Sequence, residues 1–360
     1  MEETIVKELV IRDATKADLP SILVFRERLG ESGFFNRTSA YYDWKYFQNP
    51  IGPTRLSLAE HNGQIISTFG LATARMKIGE QVIKCFQGMD SFTLPSHRGK
   101  GVHSKIRGKL LAEADRDGVD LIYSVPSAML APAMARFGAV ALFGIKRFYY
   151  ILNMDNFLKG TVKNELAFYS IRFFARAGAR IAFRDVNQPV LDGLDITEIS
   201  RFDDDVVDLW ERVSKDYDAI ILRDKEYLNW RYVASPVKFT IYAAHKKDHL
   251  LGYIVITLGE EIRDNVRMGY IVDMLTDPEE EGIDRTLMAF AFAFFKKQKA
   301  DVIETYSMQN EPATKDNFPH LLRRLGFIPS RSTSYINIRT RLNLPPNCRY
   351  FFRFGDLDHV

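Results

Sequence analysis

Residues 96–103, SHRGKGVH, combine basic side chains with two glycines. Glycine adopts backbone conformations, and allows a close approach of a ligand, that a side chain would block. A helix is predicted to begin near Val102, and the first turn of a helix offers N–H groups at the positive end of its dipole. Arg98 and Lys100 add positive charge. The pattern therefore predicts a binding site for an anion, most simply phosphate.

Three side chains between residues 90 and 150 could transfer protons. Asp90 lies on the strand predicted to lead into the loop and could act as a general base. The alternative is a structural carboxylate, because Asp273 recurs at the matching place in the second half of the chain. Tyr123 and Tyr150 lie on predicted strands and could donate a proton. For each tyrosine the alternative is packing, with the hydroxyl group bonded locally.

Regular elements on either side must hold the loop. Alternating apolar residues predict strands over residues 55–89, with a hairpin turn at Asn62-Gly63 and a second turn near Gly79. Apolar residues at helical spacing predict a helix over residues 102–116. A buried strand, a helix and a last strand are then expected at residues 120–125, 127–137 and 148–152.

The length and composition limit the classes of protein. A chain of 360 residues is too long for one ordinary core, so two domains are expected. The hydrophobic fraction of 46% and the charged fraction of 26% are typical of a globular protein. With 49 basic and 46 acidic residues the net charge is +3, which does not indicate nucleic-acid binding.

The sequence also gives expectations about compartment and metals. We expect no membrane insertion, because no stretch approaches the roughly 20 apolar residues that span a bilayer. The first residues do not resemble a signal peptide, so a cytoplasmic location is expected. Cys85 and Cys348 are far apart and not in a CxxC motif, so neither a zinc site nor a disulfide framework is expected. The oligomeric state is open.

The second half of the chain repeats the first. The segments YYDWKY and YLNWRY, residues 41–46 and 227–232, are each followed by a proline four residues later. Asp90, Thr93 and Pro95 match Asp273, Thr276 and Pro278. An ordered series of matches with small changes in spacing indicates two copies of one fold.

The repeat divides the chain into two domains and two other segments. The expected ranges are residues 1–154 for the first copy, 155–192 for a helical linker, 193–342 for the second copy and 343–360 for a C-terminal tail. The linker carries Arg172, Arg176, Arg180 and Arg184 along one side of a predicted helix. Such a helix could lie on a membrane or bind a partner, or it could connect the two domains with solvated arginines.

The two copies differ at the loop. Where the first copy has basic residues and glycines, the second has Glu279-Glu280-Glu281-Gly282. Three carboxylates at the start of a helix suit its dipole but repel phosphate. The sequence therefore assigns phosphate binding to the first copy.

These features resemble the GNAT superfamily of acyl-CoA-dependent N-acyltransferases. The opening VIRDATKADLPSI is similar to the first strand and helix of many members, and residues 98–103 are similar to the pyrophosphate loop of that family. The tandem arrangement looks like the two-copy members. The resemblance implies an α/β fold of two tandem GNAT-like domains, each a mixed, mostly antiparallel central sheet flanked by helices.

The resemblance further implies a ligand and a reaction. The co-substrate would be an acyl-CoA, most simply acetyl-CoA, and no metal would be needed. The reaction would be direct attack of an amine on the thioester. The implied cofactor-binding residues comprise the loop, whose N–H groups would contact the pyrophosphate, and the end of the preceding strand, which would pair with the pantetheine arm. These residues are Phe92, Thr93, Leu94, Arg98, Gly99, Lys100, Gly101, Val102 and His103.

Several acceptors and roles stay open at this point. The implied acceptor is an amine of a small molecule, such as an amino sugar, or else an amine of a peptide or protein. A non-catalytic CoA sensor or scaffold is a different class, favoured by two departures from the family pattern. His103 stands where the family usually has glycine or alanine, and Met134 stands where a proton-donating tyrosine often lies. Transfer from aminoacyl-tRNA is disfavoured by the intact loop and the balanced charge.

Overall fold

The structure, a computed structural model, describes two compact units. The first unit comprises residues 1–143, 234–236 and 334–346, and the second comprises residues 144–233, 237–333 and 347–360. Within these, the structure describes residues 9–30, 38–127, 129–161, 191, 193–263, 266–309, 317–345 and 347–357. The predicted domain boundaries at residues 154, 192 and 342 stay predictions. The four spaced arginines of the predicted linker helix lie outside the described residues.

Strands and helices are numbered in chain order. The strands are β1 (Val10–Asp13), β2 (Arg55–His61), β3 (Gln64–Ile78), β4 (Gln81–Thr93), β5 (Leu121–Ser124), β6 (Val140–Ile151), β7 (Asp195–Ile199), β8 (Ala219–Ile221), β9 (Phe239–Lys246), β10 (His249–Arg263), β11 (Val266–Thr276), β12 (Val302–Met308), β13 (Ile328–Pro329), β14 (Ser334–Thr340) and β15 (Tyr350–Phe351). The helices are α1 (Leu19–Arg28), α2 (Ser39–Phe47), α3 (Val102–Arg116), α4 (Ala131–Ala135), α5 (Met154–Thr161), α6 (Asp205–Ser214), α7 (Lys225–Leu228), α8 (Ile283–Lys297) and α9 (Phe318–Arg324).

The sheet of the first unit has the order β1-β2-β3-β4-β5-β14. Neighbouring strands are antiparallel except for the parallel pair β4 and β5. The hairpin predicted between β2 and β3 is present: Asn62 has a φ of +53° and Gly63 a φ of +70°. Both residues are left-handed, as a two-residue turn between twisted strands requires.

Helix α3 packs against the strands of this sheet. Its buried residues Ile106, Leu110 and Leu111 follow the helical spacing seen in the sequence. The helix begins at Val102, as predicted. A second helix was predicted at residues 127–137. The helix observed there is shorter than predicted and spans Ala131–Ala135. Of these two helices, α3 is the long one, and it directly follows the basic loop.

Each unit contains a strand from the other half of the sequence. In the first unit, β14 pairs with β5 from Asn337–Ser124 to Thr340–Leu121. Arg339 on β14 forms a bidentate ion pair with Asp115 of α3, with both N–O distances at 2.8 Å. In the second unit, β6 pairs with β12. The sequence predicted a strand at residues 148–152, within β6, but not the sheet that it joins, and it did not predict β14.

The second unit has an equivalent sheet with the order β7-β9-β10-β11-β12-β6. Helix α8 covers it with buried side chains such as Leu287 and Phe292, which join Phe148 of β6 in one apolar cluster. The C-terminal tail belongs to this unit: β15 pairs with β8, and Asp356 is buried. The fold of two tandem, mostly antiparallel α/β domains is confirmed.

Within the described residues, no helix combines the length and apolar composition needed to cross a membrane.

Candidate functional site

The basic loop is anchored to the strand before it. The N–H of Leu94 donates to the carbonyl of Ile66 at 2.9 Å, which fixes the end of β4 against β3. A short turn over Pro95–His97 follows. The Arg98 Nε then donates to the carbonyl of Thr93 at 3.0 Å, so this side chain closes the loop onto its own strand.

Two glycines give the loop its shape. Gly99 has a φ of +76° and Gly101 a φ of +73°, a region that L side chains rarely adopt. An added Cβ at either position would meet no atom within 4 Å, so there is room above the backbone. The first helical hydrogen bond runs from Lys105 N–H to the Gly101 carbonyl, so residues 102–104 present their N–H groups at the helix start. This open cradle can hold an anion.

Strand β4 bulges just before the loop. Thr68 of β3 is opposite Phe92, whereas Gly70 is opposite Met89, so β4 carries one extra residue here. Asp90 in the bulge has a φ of +47°, and its carbonyl accepts a hydrogen bond from the Thr68 hydroxyl at 2.8 Å. A bulge turns a strand out of its regular course.

Strands β4 and β5 run together for only a short distance. Their pairs are Phe86–Ile122 and Gln87–Tyr123. β5 ends at Ser124, whereas β4 continues to Thr93. The part of β4 between Gly88 and Thr93 therefore extends past β5, and we call the space beside it the β4 opening. Backbone groups along such an edge can pair with an extended ligand.

The carboxylate of Asp90 points into a buried polar network. It accepts a hydrogen bond from the Tyr46 hydroxyl at 2.7 Å and lies 2.9 Å from Lys45 Nζ and 3.2 Å from Arg26. Asp90 is 4% exposed. Burial and the Asp90 charge hold the pKa of Tyr46 well above its usual value. The structure thus brings Asp90 close to cations in the interior, and its role as a base stays a prediction.

The second unit contains an equivalent network. Asp273, the repeat partner of Asp90, contacts Arg223 at 3.2 Å and accepts hydrogen bonds from Tyr232 at 3.2 Å and Tyr253 at 3.1 Å. Arg223 also contacts Asp356 of the C-terminal tail at 2.7 Å. Tyr46 and Tyr232 therefore make equivalent hydrogen bonds in the two copies, each to the buried aspartate of its own unit, and both anchor the fold.

The two candidate tyrosines lie in different units. Tyr123 is buried on β5 of the first unit, opposite Gln87. Tyr150 lies on β6 of the second unit, with its ring centroid 4.6 Å from that of Phe292 and 5.3 Å from that of Phe327. Burial raises the pKa of Tyr150. The first unit thus contains Asp90, Tyr123 and the loop, and the second contains Tyr150.

His103, in the first turn of α3, points towards β4. Its Nε2 lies 2.5 Å from the hydroxyl of Ser91, the residue after Asp90, and its ring lies against Phe69. Burial, with a smaller effect of the Arg107 charge, lowers the pKa of His103 to about 4. The imidazole is therefore neutral near pH 7, and its Nε2 contacts Ser91.

Arg107, one turn further along α3, was not identified from the sequence. Its side chain is 4% exposed, and its guanidinium carbon lies 4.6 Å from the ring centroid of Phe69 and 5.9 Å from that of Phe137. Its Nε has no hydrogen-bond partner within the described chain. The available signal was an arginine next to the apolar Ile106 and four residues after His103, on a helix whose face packs on a sheet.

The matching helix start in the second unit has a different environment. Gly282 begins α8 with a φ of +87°, but an added Cβ there would lie 3.2 Å from Leu191. The three glutamates Glu279, Glu280 and Glu281 border a cavity of about 1040 Å³ at this place. The left-handed glycine at the helix start is therefore shared by the two units, whereas the charge of the residues before it is not.

Within the part of the chain that the structure describes, no group of three or more His, Cys, Asp or Glu side chains is arranged to hold a metal ion.

Comparison with known proteins identifies a family for residues 10–140. Residues 10–140 match the family model described as "Acetyltransferase (GNAT) domain". This part of the chain is a GNAT domain. It includes the bulge of β4, the basic loop and α3, so the resemblance predicted from the sequence is confirmed. No curated protein matches the sequence.

Solved structures with the same fold cover both units. A tandem GNAT protein from the clavulanic acid biosynthesis pathway has 12% sequence identity and a TM-score of 0.61, covering 92% of this chain and 98% of its own. Saccharomyces cerevisiae N-myristoyltransferase with bound myristoyl-CoA has 11% identity and a TM-score of 0.67, with coverages of 97% and 85%. A probable N-acyltransferase from Enterococcus faecalis V583 has 11% identity and a TM-score of 0.63, with coverages of 92% and 72%. At these identities the likeness concerns the fold, and the fold is that of a tandem GNAT protein.

Proposed function

We propose that the protein is an acyl-CoA-dependent N-acyltransferase that transfers an acyl group, most simply acetyl, to an amine of a small molecule such as an amino sugar. The observation that carries this proposal is the open glycine cradle at the start of α3, inside a GNAT domain. The other unit has the same backbone turn with carboxylates around it, which disfavours phosphate there.

The residues of the first unit fit a CoA molecule. The N–H groups of residues 102–104 and the room above Gly99 and Gly101 suit a pyrophosphate. The exposed Arg98 and the half-buried Lys100 add positive charge beside it. The free length of β4 between Gly88 and Thr93 offers backbone groups to the pantetheine arm. When bound, CoA would supply the thioester that carries the acyl group.

The proposed reaction makes one bond and breaks another. The amine nitrogen bonds to the acyl carbon while the carbon–sulfur bond breaks, so the amine must lose a proton and the thiolate must gain one. Asp90 stays our candidate base, and Tyr123 and Tyr150 stay candidate donors. Asp90 also forms ion pairs with Lys45 and Arg26, which makes a structural role the competing explanation.

Binding of CoA tests the first part of the proposal. Titration calorimetry of the full chain with CoA and with acetyl-CoA should give binding, and Arg98→Glu should weaken it by about tenfold through one reversed charge near the phosphates. The matched control is Arg285→Glu, in the first turn of α8, which should leave CoA binding unchanged. Absence of CoA binding by the wild type would overturn the proposal.

Turnover tests the second part. The wild type is mixed with acetyl-CoA and a panel of amino sugars, other small amines and peptide N-termini, and the release of free CoA thiol is followed. Release of CoA with small amines supports the proposal. Release with peptides alone supports the alternative, a peptide N-acyltransferase. Binding of CoA without release for any amine would favour the sensor or scaffold alternative.

A further inference from the structure

Arg107 is a buried cation with no anionic partner in the described chain. It is 4% exposed, and the structure shows no carboxylate within ion-pair distance of it among the described residues. Burial lowers its pKa only to about 10, so the guanidinium is charged near pH 7. Removing a charge from water without pairing it is costly, and the two aromatic rings offset part of that cost.

The carboxylates nearby in the fold are already engaged. Acidic side chains on α3 and in the bulge of β4 contact other cations, in the pairs Glu113–Lys109, Asp115–Arg339 and Asp90–Lys45. The neighbour of Arg107 on the same helix face is His103, which is neutral. A conformational change of one side chain therefore does not supply an anion without breaking another pair.

The position of Arg107 relates it to the β4 opening. Its guanidinium lies over Phe69 of β3 and near Phe137, which follows α4. Gly88 is the first residue of β4 after the two that pair with β5. A Cβ atom added to Gly88 would lie 3.7 Å from Cε2 of Phe69, so the Phe69 ring packs close to this position. The Phe69 ring thus lies between Arg107 and the inner end of the β4 opening, and it contacts both.

The phosphate cradle lies at the other end of the same helix face. His103 and Arg107 are four residues apart, so they project from one side of α3 about 6 Å apart along its axis. A ligand whose phosphates sit at the helix start and whose arm follows β4 inwards would bring its far end towards Arg107. The far end of an acyl-CoA is the tip of its acyl group.

We propose that Arg107 binds a carboxylate of the substrate. This inference rests on the proposed function and names the substrate class of the same site. The carboxylate has two possible sources, the free end of a dicarboxylic acyl group on CoA or the carboxylate of an amino-acid acceptor, and the position at the inner end of the β4 opening favours the acyl group. A guanidinium suits either one, because its planar fork can donate two parallel hydrogen bonds to a carboxylate.

The first arm of the test compares acyl groups. Titration calorimetry of the full chain measures the binding of CoA, butyryl-CoA and succinyl-CoA, of which the last two have four-carbon acyl groups and differ in the terminal carboxylate. The wild type should bind succinyl-CoA about 10- to 100-fold more tightly than butyryl-CoA, as expected for a charge-assisted pair. Arg107→Met should abolish that preference and leave the binding of CoA itself within about twofold, and Arg107→Lys should keep part of the preference.

The second arm tests the acceptor as the source. The wild type saturated with CoA is titrated with the common amino acids and with the corresponding decarboxylated amines. A preference for an amino acid that disappears in Arg107→Met supports the inference with the carboxylate on the acceptor. A preference for succinyl-CoA that disappears in that variant supports it with the carboxylate on the acyl group.

The outcomes separate this inference from the proposed function. If the wild type binds no CoA, both fail. If CoA binds but neither arm shows a preference for the carboxylate, or the preference persists in Arg107→Met, the inference is overturned and the proposed function stands. Should Arg107→Met not fold, the wild-type comparison of succinyl-CoA with butyryl-CoA and the Arg107→Lys variant still decide the question.

Discussion

The hydroxyl of Tyr46 lies 2.7 Å from Oδ2 of Asp90, and the same contact joins Tyr232 to Asp273 at 3.2 Å. Because Arg26 and Lys45 also contact Asp90, a neutral side chain there would leave two buried cations without this carboxylate. Asp90→Asn should lower the free energy of unfolding by about 3–5 kcal/mol. Urea denaturation followed by circular dichroism measures this change.

The control for Asp90 is its repeat partner. Asp273→Asn should cost less, about 1–3 kcal/mol, because Arg223 keeps its contact with Asp356. A wild-type urea midpoint for Asp90→Asn would contradict the structural role. If turnover were also lost in that stable variant, the catalytic assignment of Asp90 would be favoured instead.

Gly101 begins α3 with a φ of +73°, and Gly282 begins α8 with a φ of +87°. Alanine at either position should cost about 1–2 kcal/mol of stability, because an L residue is strained in this region. Gly101→Ala should in addition weaken CoA binding, because the cradle must change its backbone to relieve that strain. Thermal unfolding and CoA titration of both variants measure the two effects.

The two glycines provide a matched pair, since one lies at the proposed CoA site and the other does not. Equal loss of CoA affinity in Gly101→Ala and Gly282→Ala would show that the effect is general destabilisation. Unchanged affinity in Gly101→Ala would count against the cradle as the phosphate site.

His103 should make stability depend on pH. Its pKa in the folded protein, about 4, is below its ordinary value of 6.5, so the unfolded chain takes up a proton first as the pH falls. The stability that neutral His103 supports is complete above about pH 6.5 and is lost as the pH falls towards about 4. This loss should amount to roughly 1–3 kcal/mol. Urea denaturation at about pH 7.5 and about pH 4.5 measures it.

The comparison variant is His103→Ala, which removes the titrating group and its contact with Ser91. Between the two pH values, the variant should lose less stability than the wild type. Other titrating groups contribute equally to both proteins, so the difference reports on His103. An identical pH dependence in the two proteins would show that His103 is not held neutral by the fold.

Strand β14 should be required for the first unit to fold. A chain ending at residue 154 lacks β14 and the Arg339–Asp115 ion pair, which leaves the edge of β5 uncovered. This shorter chain should aggregate or show no cooperative thermal transition. Adding a separate chain of residues 191–360, which contains β14, is the matched test of rescue. Cooperative folding of residues 1–154 alone would contradict the prediction.

Much of the site follows from local sequence signals. Asn62-Gly63 fixed a hairpin because few residue pairs adopt its turn, and the glycines before Val102 marked the start of α3. The repeat identified Asp90 and Asp273 as equivalent, and the structure gives them equivalent networks.

Other features depend on contacts that a single sequence does not encode locally. β14 was not predicted, and its pairing with β5 depends on residues more than two hundred positions away. Arg107 looks like a solvated helix residue by its type, and only the packing of Phe69 and Phe137 shows it to be buried. The role of the tail residue Asp356 is likewise shown only by its buried ion pair with Arg223.

The placement of β14 in the first unit has a consequence for synthesis on the ribosome. A domain usually folds as soon as it emerges from the ribosome, but this unit needs residues 334–340, which are made well after residue 143. At about 5–20 residues per second, the gap between residue 143 and residue 334 lasts roughly 10–40 s. During that time the nascent chain exposes the unpaired β5 edge, which offers its backbone groups to other strands.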